Sequence, residues 1–153
     1  GATSSTSTIN AIDVWAGVTG GPGNADGTGT AARFALPFAL TGDVAGNLYV
    51  ADYDNHTIRK ISPTGSVTTL AGQAGQSGTS DGVGSNARFN HPTAIAIDTA
   101  GVLYVTDAYN HTIRKIQVNG TVSTLAGSAG NSGSINGAGT AARFNQPAGI
   151  SLV

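Results

Sequence analysis

The apolar residues of this chain come in short, strand-length runs separated by glycine-rich turns. Near its centre, Thr93-Ala-Ile-Ala-Ile-Asp98 alternates small and branched side chains before the turn Thr99-Ala-Gly101, which predicts a first strand, a. Val102-Leu-Tyr-Val-Thr-Asp107 is rich in β-formers and closes at Ala108-Tyr-Asn110, giving strand b and a tight connection. His111-Thr-Ile-Arg-Lys-Ile116 is strand c, Gln117-Val-Asn-Gly120 carries the Asn-Gly hairpin signal, and Thr121-Val-Ser-Thr-Leu-Ala126 is strand d. Ile113 and Ile116 have opposite parity, as do Val122 and Leu125, so the antiparallel sheet is apolar on both faces and must be covered on both.

The pattern returns at an offset of 55 residues: Asn55-His-Thr-Ile-Arg-Lys-Ile61 becomes Asn110 to Ile116, and Ala32-Arg-Phe34 becomes Ala87-Arg-Phe89 and Ala142-Arg-Phe144. A fixed period of this size signals a repeat architecture, in which each unit buries its faces against its neighbours. Radial stacking of small sheets achieves this without helices, which predicts an all-β fold of β-propeller blades. Between strands d and a lies a long glycine-punctuated connector, 72–92, repeated at 17–37 and 127–147. It is expected to be ordered, anchored by Phe34, Phe89 and Phe144, with a short helical turn around each Ala-Arg-Phe. Aligned to the repeat, the chain reads as two complete four-stranded blades (38–71 and 93–126), a lone outer strand (9–16) and a lone inner strand (148–153). That is an incomplete propeller within a repeat domain spanning 9–153, preceded by a Ser/Thr-rich segment, 1–8, expected to be extended. The unpaired edges, with Ile9, Ile12, Val14, Trp15, Ile150 and Leu152, are expected to pair with another chain.

Composition narrows the partners. Seven basic against eight acidic residues, with 10% of the chain charged, leave no basic field for nucleic acid or an anionic membrane. No run approaches the roughly 18 apolar residues of a membrane-spanning helix. The lack of cysteine removes disulfides and thiolate metal sites. The lack of methionine, including an initiator, suggests a processed product or an excised domain; a secreted, matured protein fits best, so an extracellular or cell-surface location is expected.

The ordered motifs Gly46-Asn-Leu-Tyr-Val-Ala-Asp52, Asn55 to Ile61 and Gly65-Ser-Val-Thr-Thr-Leu-Ala-Gly72 resemble the NHL repeat of β-propellers. The long Asp-Gly and Ala-Arg-Phe connector is similar to the variety found in bacterial NHL proteins. The resemblance covers roughly residues 9–153 and implies a scaffold that binds proteins, RNA or other polymers. A few relatives act as lyases or hydrolases.

Candidate chemistry is sparse. Asp52, Asn55 and His56, with Asp107, Asn110 and His111, place carboxylate and imidazole around each b–c turn, the material of a metal or acid–base cluster. Their recurrence in both blades favours turn-locking roles, since a catalytic site normally occurs once. Arg33, Arg88 and Arg143 offer a surface for an anionic ligand, or else pair locally with a carboxylate or with loop carbonyls; Tyr53 and Tyr109 extend that surface. A single Asp in each of two connector loops, Asp26 and Asp81, replaced by Asn136 in the third, falls short of a calcium site, and no nucleophile elbow, phosphate loop or zinc-protease motif occurs. His91 appears once, where the other copies have Leu36 and Gln146. No catalytic residue, metal or cofactor is assigned.

The expected function is a non-enzymatic structural or binding scaffold. Its partner is itself, in a ring or head-to-tail filament, or the remainder of a longer propeller. The alternatives are an extracellular carbohydrate- or peptide-binding module, and a metal-dependent propeller lyase or hydrolase using His56 or His111.

Overall fold

The computed structural model describes residues 14–153; the expectations for segment 1–8, Ile9 and Ile12 lie outside the described residues. The strands, in chain order, are β1 (Gly27–Thr28), β2 (Pro37–Gly42), β3 (Leu48–Asp52), β4 (Thr57–Ile61), β5 (Ser66–Gly72), β6 (Gly82–Val83), β7 (Pro92–Ile97), β8 (Leu103–Asp107), β9 (Thr112–Ile116) and β10 (Thr121–Gly127). They form two antiparallel sheets of five strands, ordered β1-β5-β4-β3-β2 and β6-β10-β9-β8-β7. Strands a to d of the two blades are therefore β2–β5 and β7–β10. The fifth strand of each sheet is the part the hydrophobic pattern did not predict. It is a two-residue piece of connector that pairs outside strand d, Gly27 opposite Val67 and Gly82 opposite Val122.

A register shift in each d strand explains how one strand serves two faces. Between Arg59 and Ile58 the partner on β5 jumps from Thr69 to Ala71, leaving Leu70 bulged, and Leu125 occupies the same place in β10. The extra residue inverts parity, so Val67 and Ala71 join different cores. A second shift in strand a leaves Phe38 and Thr93 bulged. Strand d ends on glycine for a steric reason. Gly72 has φ +87°, and a Cβ there would lie 2.5 Å from the His56 carbonyl oxygen.

The main core is the seam between the blades. Ala51, Ile58 and Ala71 of the first blade meet Ile95, Leu103, Val105, Ile116 and Val122 of the second, with Ala87 and Phe89 of the connector wedged among them. Full burial of each large side chain contributes about 1.5–3 kcal/mol. A smaller core on the opposite face of the first blade joins Val50, Ile61 and Val67 to Ala32, with Ala16, Phe34 and Leu48 packed alongside. Phe89 thus anchors its connector fully, whereas Phe34 and Phe144 are half-buried.

Each connector also has an observed 3-10 turn, at Gly29–Ala31, Gly84–Asn86 and Gly139–Ala141, immediately before Ala-Arg-Phe. Residues 148–153 form no strand: the hairpin partner that would supply their ladder is not in the sequence, and strand geometry without a ladder has little to hold it. Val14 and Trp15 are likewise outside any strand and exposed. No helix among the described residues is long and apolar enough to cross a membrane.

Candidate functional site

Strand pairing brings both b–c turns, the ends of both d strands and the entry of each connector to one end of the blades. Most of the polar residues singled out in the sequence gather there. The Asp52 carboxylate, fully buried, accepts hydrogen bonds from Ala35 N (2.8 Å), Asn55 Nδ2 (2.7 Å) and Arg59 Nη1 (2.9 Å). Asn55 Nδ2 also donates to the Gly23 carbonyl. Arg59 donates further to the carbonyls of Arg33 and Ala25 and to Asp26 Oδ1 at 2.9 Å, with its guanidinium 4.9 Å from the Phe34 ring centre. The second blade repeats the arrangement with Asp107, Asn110, Arg114, Asp81 and Phe89.

These are clamps that fasten the connector to the blade. A buried guanidinium is tolerable because carboxylates, carbonyls and an aromatic face surround it. Burial pushes the Asp52 and Asp107 carboxyls above their ordinary value, while hydrogen bonds from the neighbouring amides and the arginines pull against that push. Arg59 and Arg114 were not singled out in the sequence. The available signal was a cation inside a strand, between apolar neighbours, recurring at the repeat period.

His56 and His111 sit in the left-handed region, at φ 57° and 58°. Their Nδ1 atoms accept the backbone N–H of His91 (3.1 Å) and Gln146 (3.0 Å). Each histidine thus ties a b–c turn to the end of the following connector. Burial, then the charge of His91, hold the His56 imidazole below its ordinary value, so it stays neutral at pH 7. Asp52 directs its oxygens to Ala35, Asn55 and Arg59, with His56 turned to the connector instead. Among the described residues no three histidine or carboxylate side chains gather as a metal would require.

Arg33, Arg88 and Arg143 lie along their own connectors. Arg33 Nη1 donates to Thr30 O and Ala32 O, and Arg143 Nη1 to Thr140 O and Ala142 O. Arg88 donates to Ser85 O, Ala87 O and Gln73 Oε1. Each therefore braces the 3-10 turn ahead of it.

Tyr53 and Tyr109, by contrast, come together across the seam. The Tyr53 hydroxyl donates to that of Tyr109 at 3.2 Å, and this bond, reinforced by burial and the charges of Tyr109 and Asp54, pushes the Tyr53 phenol up to about 12. Phe38 stacks on Tyr53 with ring centres 4.7 Å apart. His91 packs against Tyr53 (4.6 Å), Tyr109 (4.3 Å) and His56 (4.4 Å), with its Nε2 3.8 Å from Asp54. Phe38, at the strand a bulge, and Asp54 are members of this cluster that the sequence reading missed.

Comparison with known proteins places this geometry. Residues 70–146 match the family model described as the teneurin NHL domain. NHL repeat-containing protein 2 of Bos taurus is 35% identical over 133 residues, covering 79% of this chain and 18% of that protein. A Bacteroides thetaiotaomicron structural-genomics protein of unknown function superposes with a TM-score of 0.69 at 31% identity, over 74% of this chain and 29% of the other. An auxiliary nutrient binding protein from the same organism superposes at 0.65 with 26% identity, over 73% and 31%. The chain thus spans less than a third of each of these relatives.

Proposed function

Because the chain belongs to the NHL-repeat family, we propose that it is a non-enzymatic, extracellular binding scaffold whose exposed blade face is completed by a further blade of the same kind. That blade comes from a second copy of the chain or from the remainder of a longer propeller. The observation that carries this reading is an inequality between equivalent positions. Leu40 on β2 is 62% exposed, whereas Ile95 on β7, one repeat later, is 6% exposed because the first blade covers it. The seam within the chain is the template for the missing contact: one blade offers its Leu, Val and Ile face, and its neighbour offers Ala, Ile and a tyrosine edge. Such a contact is heterologous, closing into a ring or continuing as a filament according to its rotation.

The ligand-binding part of the proposal draws support from the relative described as an auxiliary nutrient binding protein. Its non-enzymatic part draws support from the clamps, which engage the Asp and Asn residues nearest to catalytic chemistry in holding the connectors. Light scattering coupled to size-exclusion chromatography tests self-association. The expected mass exceeds that of one chain at micromolar concentration and returns to that of one chain on Leu40→Lys. A compact single chain at every concentration would overturn the second-copy arrangement.

A further inference from the structure

In a chain that repeats so closely, the residues that break the repeat are informative where they converge. Phe38 corresponds to Thr93, Tyr53 to Ala108, Asp54 to Tyr109, and His91 to Leu36 and Gln146. All four join in one surface cluster over the seam, together with Tyr109. The blade frame does not require them, since each blade keeps its clamp and its turn histidine without them.

We propose that this aromatic and carboxylate ledge is a docking site for a cationic side chain, an arginine above all, on a peptide segment of a partner protein. The proposal deepens the scaffold reading and rests on it for the role, though the ledge is built within one chain. Phe38 and Tyr109 are 60% and 46% exposed, so the rings present faces and edges to a partner and enclose no small molecule. Those faces carry negative potential, and the Asp54 carboxylate, 45% exposed, lies at the rim of the cluster. Ring faces and carboxylate together favour a cation over an anion.

The choice of arginine follows from geometry already present in the molecule. Arg59 lies over the Phe34 ring while Asp52 accepts its Nη1 proton, and Arg114 does the same with Phe89 and Asp107. The ledge offers the same two elements, ring and carboxylate, with no internal guanidinium between them. A planar guanidinium stacks on a ring and donates to a carboxylate at once, which an ammonium does less well.

The test titrates the isotope-labelled chain with a short capped peptide bearing one arginine among glycines and serines, and with its citrulline counterpart. The arginine peptide is expected to shift resonances of Tyr53, Asp54, His91 and Tyr109, and to bind about threefold or more tighter than the citrulline peptide. Asp54→Asn and Tyr109→Ala should each weaken it by a similar factor, and Tyr109→Phe, which keeps the ring, should retain most of the binding. Unchanged spectra elsewhere establish that the variants are folded. Equal binding of the citrulline peptide, shifts away from the ledge, preferential binding of a neutral oligosaccharide, or no shift at millimolar peptide would each overturn the proposal. A monomeric chain that shows the shifts sinks the second-copy reading alone; an assembling chain without them sinks this one alone.

Discussion

The inner strands β2 and β7 occupy the same place in consecutive blades and run in the same register against their neighbours, yet one lies open and the other is closed over. β7 buries Pro92, Ala94, Ile95 and Ala96, while β2 exposes Pro37, Phe38 and Leu40. The outer strands of the two blades differ far less. Val50, Ile61 and Val67 are buried in the first blade, as Val105, Ile116 and Val122 are in the second. The difference separates two sources of burial. In the first blade the connector, with Ala16, covers the outer strands without another blade, and in the second the connector shares that task with the first blade; the inner strand is covered only where a neighbouring blade lies over it. A blade is thus a partly finished object, and its inner strand reports whether a neighbour is present.

The largest expected effect lies where the two blades should agree, in the buried clamps. Arg114→Met leaves Asp107 buried without its cation and releases the connector carbonyls of Arg88 and Ser80. A loss of about 3–5 kcal/mol is expected, read by urea denaturation. Arg59→Met should lose nearly as much, because its clamp is closed by the connector without help from a neighbouring blade. A small effect at Arg59 beside a large one at Arg114 would show that the clamp, too, depends on the neighbour.

The connector phenylalanines should divide. Phe89 is fully buried in the seam, so Phe89→Ala is expected to cost about 3–4 kcal/mol, whereas half-buried Phe34 should cost roughly half of that. The inner strands should divide more sharply, although the absolute losses are smaller. Ile95→Ala removes a side chain packed in the seam and should cost about 2–3 kcal/mol. Leu40→Ala, at the equivalent exposed position, should stay within about 0.5 kcal/mol for the isolated chain. Equal losses at Leu40 and Ile95 would mean that β2 is covered in solution, and a concentration dependence of the Leu40 effect would identify a second copy as the cover.

Much of this architecture was legible in the sequence because the repeat multiplies weak signals. Strand b was expected at 102–107 and is found at Leu103–Asp107; strand c was expected at 111–116 and is found at Thr112–Ile116. The connector's added strand was not legible, since Gly27–Thr28 and Gly82–Val83 are too short to carry a period. The clamp was half legible. Asp52 and Asn55 announced themselves as turn residues, but Arg59 looked like any polar residue of a strand until the connector wrapped it. The ledge was the least legible, because Tyr53 and Tyr109 occupy non-equivalent repeat positions and Phe38 reaches Tyr53 only by virtue of the strand a bulge. Contacts across a seam have no sequence spacing of their own.

The smallest expected effect contrasts the two ends of the blades through their carboxylates. At the a–b turns, Asp43 accepts the backbone N–H groups of Ala45 and Asn47 on Oδ1 and the Asn47 side-chain amide on Oδ2, and Asp98 Oδ1 accepts the N–H groups of Ala100 and Val102. These bonds, that from the Asn47 side chain foremost at Asp43 and that from Val102 N foremost at Asp98, hold both carboxyls below the ordinary value of 3.8. At the opposite end, burial holds Asp52 and Asp107 above it. The two pairs therefore have opposite linkage. For Asp43 and Asp98 the unfolded chain binds protons first, so their contribution is present above pH 3.8 and is lost as the pH falls through their lower folded values. For Asp52 and Asp107 the folded chain binds protons first, so their contribution is fully present below 3.8 and is lost as the pH rises through their higher folded values. Denaturation midpoints followed from pH 7 to about pH 2 should accordingly show an acid limb below 3.8 that Asp98→Asn flattens, because the amide oxygen can still accept both turn N–H groups while having no proton to take up. An Asp98→Asn chain with the same acid limb as the parent would place the acid sensitivity elsewhere and remove the contrast between the two ends.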